Sequence, residues 1–375
     1  MKILYHHRIA SKDGQYVHVA EIIKAFRQLG HEVIIVAPKI AEGSDFGSDG
    51  GWVDVLKAKL PKWFYESLEF SYSFYAFFKL CLTIIKHKPD CIYERCNVFL
   101  PAGIWAKKLF NLPLQLEVNS PLYQERKKYG GIALDSLAKW SENYVWRNAD
   151  RVLPVTHVMA EYIKAVGVAD QKITVIPNGV DTDVFIPKNI ENREAKYKGK
   201  LVVGFVGFCR EWHKLDQVLN LLAKSKKENI FFLVIGDGPV INDLKVQAAN
   251  LGIADKFQST GLVKREEMPY WLDQIDIALQ PAVTPWASPL KMIEYLAKGL
   301  AIVAPNSDNI IELLNEKNSC LFEEDNLQGM IAQVERLIDS EILRDKVSLE
   351  AFATIETSKL SWRGNALKIL EGYKL

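Results

Sequence analysis

The sequence predicts an α/β protein with two doubly wound parallel β-sheets, each in its own domain. Short apolar runs, typical of buried strands, alternate with longer amphipathic runs, typical of helices. A polar stretch at residues 188–200 interrupts this alternation, and the same order then begins again. The chain of 375 residues is also longer than one hydrophobic core usually needs. Two α/β domains of similar size are therefore expected.

The first half begins with a strand at residues 2–5, a polar loop and a helix at residues 18–29. Apolar positions recur every three or four residues in this helix, and Gly30 follows as its stop signal. Further strands of the first half are predicted at residues 33–37, 91–93, 114–118, 152–155 and 173–176.

The second half repeats the pattern, and it ends in an amphipathic helix that contains Trp362. Its strands are predicted at residues 201–206, 231–235, 257–259, 277–279 and 301–304. The predicted domains are residues 1–187 and 201–358, with a linker at 188–200 and a C-terminal segment at 359–375.

Composition excludes several classes of protein. A net charge of +1 argues against a dedicated nucleic-acid binder. The five cysteines include no C-x-x-C pair, which excludes zinc-finger and thioredoxin motifs and favours a reduced compartment. The chain starts with a strand pattern in place of a signal peptide, and no apolar run is expected to reach the roughly 20 residues that span a bilayer. We therefore expect a cytoplasmic protein.

The run Ser288-Pro289-Leu290-Lys291 predicts the start of a helix that holds a phosphate. Ser288 suits the N-cap, Pro289 suits the first helical position, and Gly299 suits the residue after the helix. Unpaired first-turn amides attract anions, and Lys291 is favourable there only beside a negative group. The alternative is an ordinary amphipathic helix. Its apolar face is present in either case.

Loops that follow strands are the expected binding sites of such sheets. The loop after residues 201–206 carries Gly207, Arg210 and Lys214, and the loop after the first strand carries Gly14. Basic residues beside glycine support the phosphate interpretation.

These segments resemble the retaining glycosyltransferases of family 4, group 1, which have the GT-B fold. The resemblance covers nearly the whole chain, and five segments stand in the same order as in that family. They are Asp13-Gly14-Gln15, Ile176-Pro177-Asn178-Gly179-Val180-Asp181, Gly204-Phe205-Val206-Gly207 with Trp212-His213-Lys214, Gly236-Asp237-Gly238-Pro239, and Ser288-Pro289-Leu290-Lys291 with Glu294.

The resemblance implies two Rossmann-like domains facing across a cleft, with residues 359–375 crossing back onto the first domain. It also implies a UDP-, GDP- or ADP-sugar as donor and no cofactor or metal ion. The departing diphosphate would be held by Arg210, Lys214, Lys291 and the amides of Ser288 and Leu290. The remaining donor contacts would come from Glu294 to the ribose, from the backbone at Gly261 and Val263 to the base, and from loop glycines Gly14 and Gly207 to the phosphates.

Two positions depart from the family pattern. Trp286 stands where many relatives have the first of two glutamates, so the role of that glutamate is unassigned. Asn119 stands where many relatives have a histidine, and an amide can bind a sugar hydroxyl but cannot act as a base. His18 begins a predicted helix near the first loop and is a candidate to reach the donor sugar.

The acceptor is predicted only by class: a glycan, a lipid-linked group or a small molecule. Residues 57–88 are rich in aromatic residues and are flanked by lysines. Such a stretch can lie on an anionic membrane, which would place the protein on the inner face of the membrane. The alternative is a core helix with its aromatic face buried.

Other functions than sugar transfer are compatible with parts of the sequence. A non-catalytic nucleotide-sugar-binding partner of another transferase would explain the two departures. An epimerase or a phosphorylase shares the fold but accounts less well for the motifs. A dehydrogenase is disfavoured because no G-x-G-x-x-G follows the first strand. Asp181-Thr182-Asp183 is interpreted as a turn and not as a metal site.

Overall fold

The computed structural model describes residues 1–9, 14–38 and 60–373. The chain forms two compact units. The first unit contains Met1–Asn178, Trp286–Ser288 and Trp362–Leu375, and the second contains Gly179–Pro285 and Pro289–Ser361. Each unit is built on a parallel sheet with helices on its faces, which confirms the predicted fold class.

The described part of the first unit has a five-stranded parallel sheet in the order β2-β1-β3-β4-β5. In register, Leu4 lies opposite Ile34 on one side and Ile92 on the other. The order reverses between β1 and β3, and their carboxyl ends form the edge where such sheets bind ligands. The strands are β1 (Lys2–His6), β2 (Glu32–Val36), β3 (Cys91–Arg95), β4 (Leu114–Val118) and β5 (Arg151–Pro154).

Helices cover the first sheet. They are α1 (Gly14–Gln28), α2 (Lys62–His87), α3 (Ala102–Phe110), α4 (Leu122–Tyr129), α5 (Asp135–Asn148) and α6 (His157–Ala165). The C-terminal helix, Trp362–Glu371, also belongs to this unit. Gln115 of β4 donates to the carbonyl oxygen of Ile369 at 2.9 Å, and the Tyr373 hydroxyl donates to that of Ile92 at 2.6 Å.

The second unit has a six-stranded parallel sheet in the order β11-β10-β9-β6-β7-β8. Its strands are β6 (Leu201–Val206), β7 (Ile230–Ile235), β8 (Phe257–Ser259), β9 (Ile277–Leu279), β10 (Ala301–Pro305) and β11 (Cys320–Phe322). Its helices are α7 (Leu215–Lys224), α8 (Ile241–Asn250), α9 (Met268–Leu272), α10 (Leu290–Lys298), α11 (Leu327–Asp339) and α12 (Glu341–Thr357). Separate apolar clusters pack on its two faces.

The structure corrects three sequence-based expectations about the fold. Residues 173–176 do not form a strand, because only Ile173 makes an isolated bridge, to Val152. The first helix starts at Gly14 and not at residue 18. Residues 179–187 and the predicted linker, 188–200, lie in the second unit. Tyr197 is fully buried there, and Lys188 and Arg193 both pair with Asp276, so this segment is packed structure.

Candidate functional site

The predicted phosphate-binding helix is α10, and its start differs by one residue from the expected one. The helix begins at Leu290, so Pro289 takes the N-cap and no side chain caps the first-turn amides. Ser288 is not the cap. Its hydroxyl instead accepts a hydrogen bond from the Asn178 backbone N–H at 3.1 Å within the first unit. Gly299 ends the helix as expected, in the left-handed conformation with φ +62°.

Lys291 connects the first turn of α10 to the end of β6. Its Nζ donates to the carbonyl oxygen of Val206 at 2.9 Å and lies 4.1 Å from the ring centroid of Phe205. Burial lowers the pKa of Lys291 to about 7. A Cβ at Gly207 would lie 3.6 Å from this ammonium, so the backbone of the loop passes close to it. Lys291 thus places a titratable cation beside first-turn amides that no side chain caps, which is a geometry that suits a phosphate.

The loop after β6 presents two exposed cations, Arg210 and Lys214. His213 between them is buried, and its Nδ1 accepts the Arg210 backbone N–H at 3.0 Å. Burial, followed by the nearby charge of Lys291, lowers the pKa of His213 to about 3. A neutral histidine therefore holds the loop in shape, and Lys291 is close enough to this loop for its charge to act there.

Two glycines let the neighbouring loop support the β6 loop. Gly236 and Gly238 after β7 have φ of +149° and +154°. A Cβ on either would lie 2.1 Å from a backbone oxygen, of Gly207 and Cys209 respectively. Because these clashes are with backbone, any larger residue would displace the loop after β6.

Glu294 lies one turn after Lys291 and is 4% exposed. Its carboxylate pairs with Arg265, a residue that the sequence analysis missed. Arg265 follows the loop of Gly261 and Val263, where the base was expected to bind. No spacing rule links residues 265 and 294, so nothing in the sequence pattern indicated the pair. Gly261 has φ +70°, and Val263 packs against the core of the second unit.

His18, predicted to reach the donor sugar, has a partner at each of its two ring nitrogens within the first unit. Asn178 Nδ2 donates to the Ser288 carbonyl at 2.5 Å, which turns Asn178 Oδ1 toward His18 Nδ1 at 2.6 Å. On the other side, His18 Nε2 lies 3.0 Å from a carboxylate oxygen of Glu117. Both ring nitrogens therefore face oxygen atoms, and the ring is 6% exposed and contacts Trp362 edge-on.

Glu117 is the centre of this buried polar cluster. It accepts from the Tyr93 hydroxyl at 2.8 Å and pairs with Arg95 as well as His18. Burial alone would raise the pKa of Glu117, but the charges of His18 and Arg95 and the hydrogen bonds to it lower that pKa to about 2. The cluster is a compensated structural network within the first unit.

The two departures from the family pattern have different environments. Trp286 is 7% exposed and packs in the apolar core of the first unit, and the Thr156 hydroxyl donates to its carbonyl oxygen at 2.9 Å. It is a core residue. Asn119 follows β4, and its Oδ1 is buried with no hydrogen-bond partner in the described structure. Such an oxygen can accept a hydrogen bond from a substrate hydroxyl.

The remaining predicted features are the loop glycine Gly14, the turn at Asp181-Thr182-Asp183 and the expected absence of a metal site. Gly14 is exposed and opens α1, while the preceding residues 10–13, including Asp13, lie outside the described residues. Asp181 Oδ1 accepts the Asp183 N–H at 3.1 Å, which is the geometry of a turn. Within residues 1–9, 14–38 and 60–373, no group of three His, Cys, Asp or Glu residues is arranged to hold a metal ion.

The aromatic-rich stretch forms α2, although residues 57–59 lie outside the described residues. Contrary to the sequence expectation, α2 is long and apolar enough to cross a bilayer, with a mean hydropathy of 1.3 over 18 residues. Core helices of soluble proteins and signal sequences can have the same length and hydropathy. A stripe containing Ala76, Leu80 and Ile84 packs into the first unit. The opposite stripe is exposed and comprises Phe64, Leu68, Tyr75, Phe78, Leu82 and Ile85.

Comparison with known families gives two matches that together span most of the chain. The family model for Glycosyltransferase Family 4 matches residues 12–184, and the model for Glycosyl transferases group 1 matches residues 187–353.

Curated relatives are similar at lower identity. A 2-deoxystreptamine glucosyltransferase from Streptomyces kanamyceticus is 29% identical over 197 residues, which cover 49% of this chain and only 50% of that relative. The alpha-monoglucosyldiacylglycerol synthase of Streptococcus pneumoniae is 23% identical over 81% of this chain and 71% of its own length. An Escherichia coli UDP-Gal:alpha-D-GlcNAc-diphosphoundecaprenol alpha-1,3-galactosyltransferase is 26% identical over 69% and 68%, respectively.

Solved structures share the fold over the whole chain. HepE of Anabaena, determined with UDP, superposes with a TM-score of 0.75 at 17% identity and covers 99% of both chains. The sucrose-phosphate synthase of Thermosynechococcus elongatus superposes with a TM-score of 0.73 at 14% identity, covering 100% of this chain and 98% of that one.

Proposed function

Because the chain belongs to the group 1 glycosyltransferases of family 4, we propose that it transfers a sugar from a nucleoside-diphosphate sugar to an acceptor. We further propose that the anomeric configuration is retained and that no metal ion is needed. The observation that carries the proposal is Lys291, held between the start of α10 and the end of β6 beside uncapped helix amides.

The chemistry requires stabilisation of the leaving group. As the bond from the anomeric carbon to the diphosphate oxygen breaks, negative charge develops on the diphosphate. Lys291 and the first-turn amides of α10 would stabilise this charge, and Arg210 and Lys214 add two further cations. Removing one such fixed donor typically costs on the order of 10²–10³ in rate. These groups supply positive charge that a metal ion provides in other transferases.

The first unit is proposed to contact the sugar and the acceptor. Asn119 is the strongest candidate in the first unit, because its buried Oδ1 has an unused acceptor position in the described structure. His18 is assigned a structural role and not a catalytic one. The names of two relatives contain a lipid, monoglucosyldiacylglycerol in one and GlcNAc-diphosphoundecaprenol in the other, which favours a lipid-linked acceptor over a free small molecule.

Uridine nucleotides are the first donors to test, since HepE was solved with UDP and with UDP-glucose. Calorimetric titration with UDP-glucose, GDP-mannose and ADP-glucose should show binding of the donor with one of the three bases. Release of nucleotide from that donor, unchanged by EDTA, would support metal-independent transfer, and NMR of the product anomeric proton would report retention. Failure of every donor to bind would refute the proposal.

We also propose that α2 contacts an anionic membrane. Its outward apolar stripe is accompanied by Lys62 and Lys86, which are exposed at the two ends of the helix. Sedimentation with phosphatidylcholine vesicles, with and without phosphatidylglycerol, tests this. Phe78→Glu should reduce vesicle binding, whereas Leu349→Glu, on an exposed position of α12, serves as the matched control. If the Phe78→Glu and Leu349→Glu variants bind vesicles equally well, α2 does not contact the membrane.

A non-catalytic donor-binding partner is the second candidate function. Trp286 favours it, because this residue is buried in a core and cannot replace the missing glutamate. Catalytic turnover distinguishes a transferase from a non-catalytic donor-binding partner. Donor binding without nucleotide release, in the presence of lipid-linked acceptors, would support the non-catalytic function.

A further inference from the structure

Arg265 and Glu294 form an ion pair inside the second unit, between a loop and a helix. Arg265 Nη1 contacts Glu294 Oε1, and the Glu294 side chain is 5% exposed while that of Arg265 is 28% exposed. The carboxylate is therefore largely removed from water, and its charge needs a close partner. The guanidinium supplies that charge and also fixes the direction of the carboxylate.

Arg265 is itself held in place. Its Cζ lies 4.8 Å from the ring centroid of Phe185, which is 3% exposed in the core of the second unit. The preceding residue donates its backbone N–H to Glu267 at 3.4 Å, which closes the short turn that begins at Arg265. Because the Phe185 ring and the turn already restrict Arg265, its guanidinium can hold Glu294 without a large loss of conformational entropy.

The pair links the two parts of the nucleotide site that recognise the nucleoside. Arg265 follows the loop of Gly261 and Val263, which is proposed to bind the base. Glu294 is proposed to bind the ribose hydroxyls. A carboxylate recognises two adjacent hydroxyls only if it is correctly oriented, and Arg265 contacts one of the two oxygens of Glu294.

We propose that Arg265 is a positioning residue for the ribose of the donor. It holds the Glu294 carboxylate in the orientation that accepts hydrogen bonds from the ribose hydroxyls, and it couples that carboxylate to the base-binding loop. This inference rests on the proposed function, because it requires Glu294 to contact ribose.

The test compares UDP with 2′,3′-dideoxy-UDP, which lacks the ribose hydroxyls, by calorimetry on the full chain. Arg265→Ala should weaken UDP binding by about 10- to 100-fold, the effect of losing a charge-assisted hydrogen bond, and should leave dideoxy-UDP binding unchanged. Arg265→Lys should be intermediate. Combining Arg265→Ala with Glu294→Gln should weaken UDP no further than Glu294→Gln alone.

Controls separate positioning from simple loss of charge or of folding. Arg336→Ala removes an exposed arginine of α11 in the same unit and should not change UDP affinity. Dideoxy-UDP binding by each variant reports that the site is folded. If Arg265→Ala does not fold, Arg265→Lys alone must show the selective loss.

Two results would overturn the inference, and they differ from a failure of the proposed function. If Arg265→Ala binds UDP as tightly as the wild type, or more tightly, while Glu294→Gln weakens it, Arg265 does not position the carboxylate. If the wild type binds UDP and dideoxy-UDP equally, Glu294 does not contact ribose and this inference fails, whereas the proposed function fails only if no donor binds.

Discussion

Donor binding should depend on pH through Lys291. Burial lowers the pKa of Lys291 from 10.5 to about 7 in the free chain. A bound diphosphate adds two nearby negative charges, so the pKa of Lys291 should rise on binding. The complex therefore takes up a proton, and affinity is greatest at a pH below 7, where the free chain already carries that proton.

The magnitude follows from the pKa difference. Above pH 7, each pH unit costs the free chain about 1.4 kcal/mol to protonate Lys291, so affinity should fall about tenfold per unit until the pKa of the complex is reached. Proton uptake should be about one half per site at pH 7 and about nine tenths at pH 8. The slope of affinity against pH and the proton uptake both derive from the pKa of Lys291, so the two measurements must agree.

The assay is calorimetry with UDP-glucose between pH 6 and pH 9, in buffers with different ionisation enthalpies. A nucleotide sugar is the right probe because both of its phosphates are esterified and neither titrates near neutral pH. Lys291→Arg keeps its charge throughout this range and should bind with little pH dependence. A flat affinity for the wild type, or an equal slope in Lys291→Arg, would refute the argument.

Three further predictions concern the same elements. Lys291→Met should raise the midpoint of thermal unfolding at pH 7, because it removes a buried cation, while weakening UDP-glucose binding in calorimetry; a lower midpoint would contradict this. Arg210→Ala and Lys214→Ala should each lower nucleotide release by about 10²-fold in a coupled assay, and an unchanged rate would exclude them from the diphosphate site. His18→Ala should reduce the free energy of unfolding in urea by about 2–4 kcal/mol, because it leaves Glu117 undercompensated. UDP-glucose affinity of that variant should stay within about twofold, since the proposed contacts to the base, the ribose and most of those to the diphosphate lie in the second unit.

The fold could be predicted from sequence because each strand and helix carries its own local pattern. Strand β4 and the end of α10 at Gly299 were placed correctly, since apolar runs and helix stops are local signals. The start of α10 was not, because Ser288 bonds with Asn178, which is 110 residues distant in the chain. A local cap preference was overridden by a tertiary contact.

The site could be predicted only where the family motifs cover it. The contacts of His18 were not predicted, because sequence position alone does not reveal that Asn178 and Glu117 lie at its two ring nitrogens. Arg265 was missed for the complementary reason. Its partner Glu294 is 29 residues away, and ion pairs at such separations have no characteristic spacing.

The discontinuity of the first unit has a consequence for folding during synthesis. Gln115 of β4 bonds with Ile369, a separation of 254 residues, and Thr156 bonds with Trp286 across 130 residues. The first unit therefore cannot be completed when its own sheet has left the ribosome, and it must wait for the last helix to be translated. Contacts between residues so distant in the chain are expected to form late and slowly in folding.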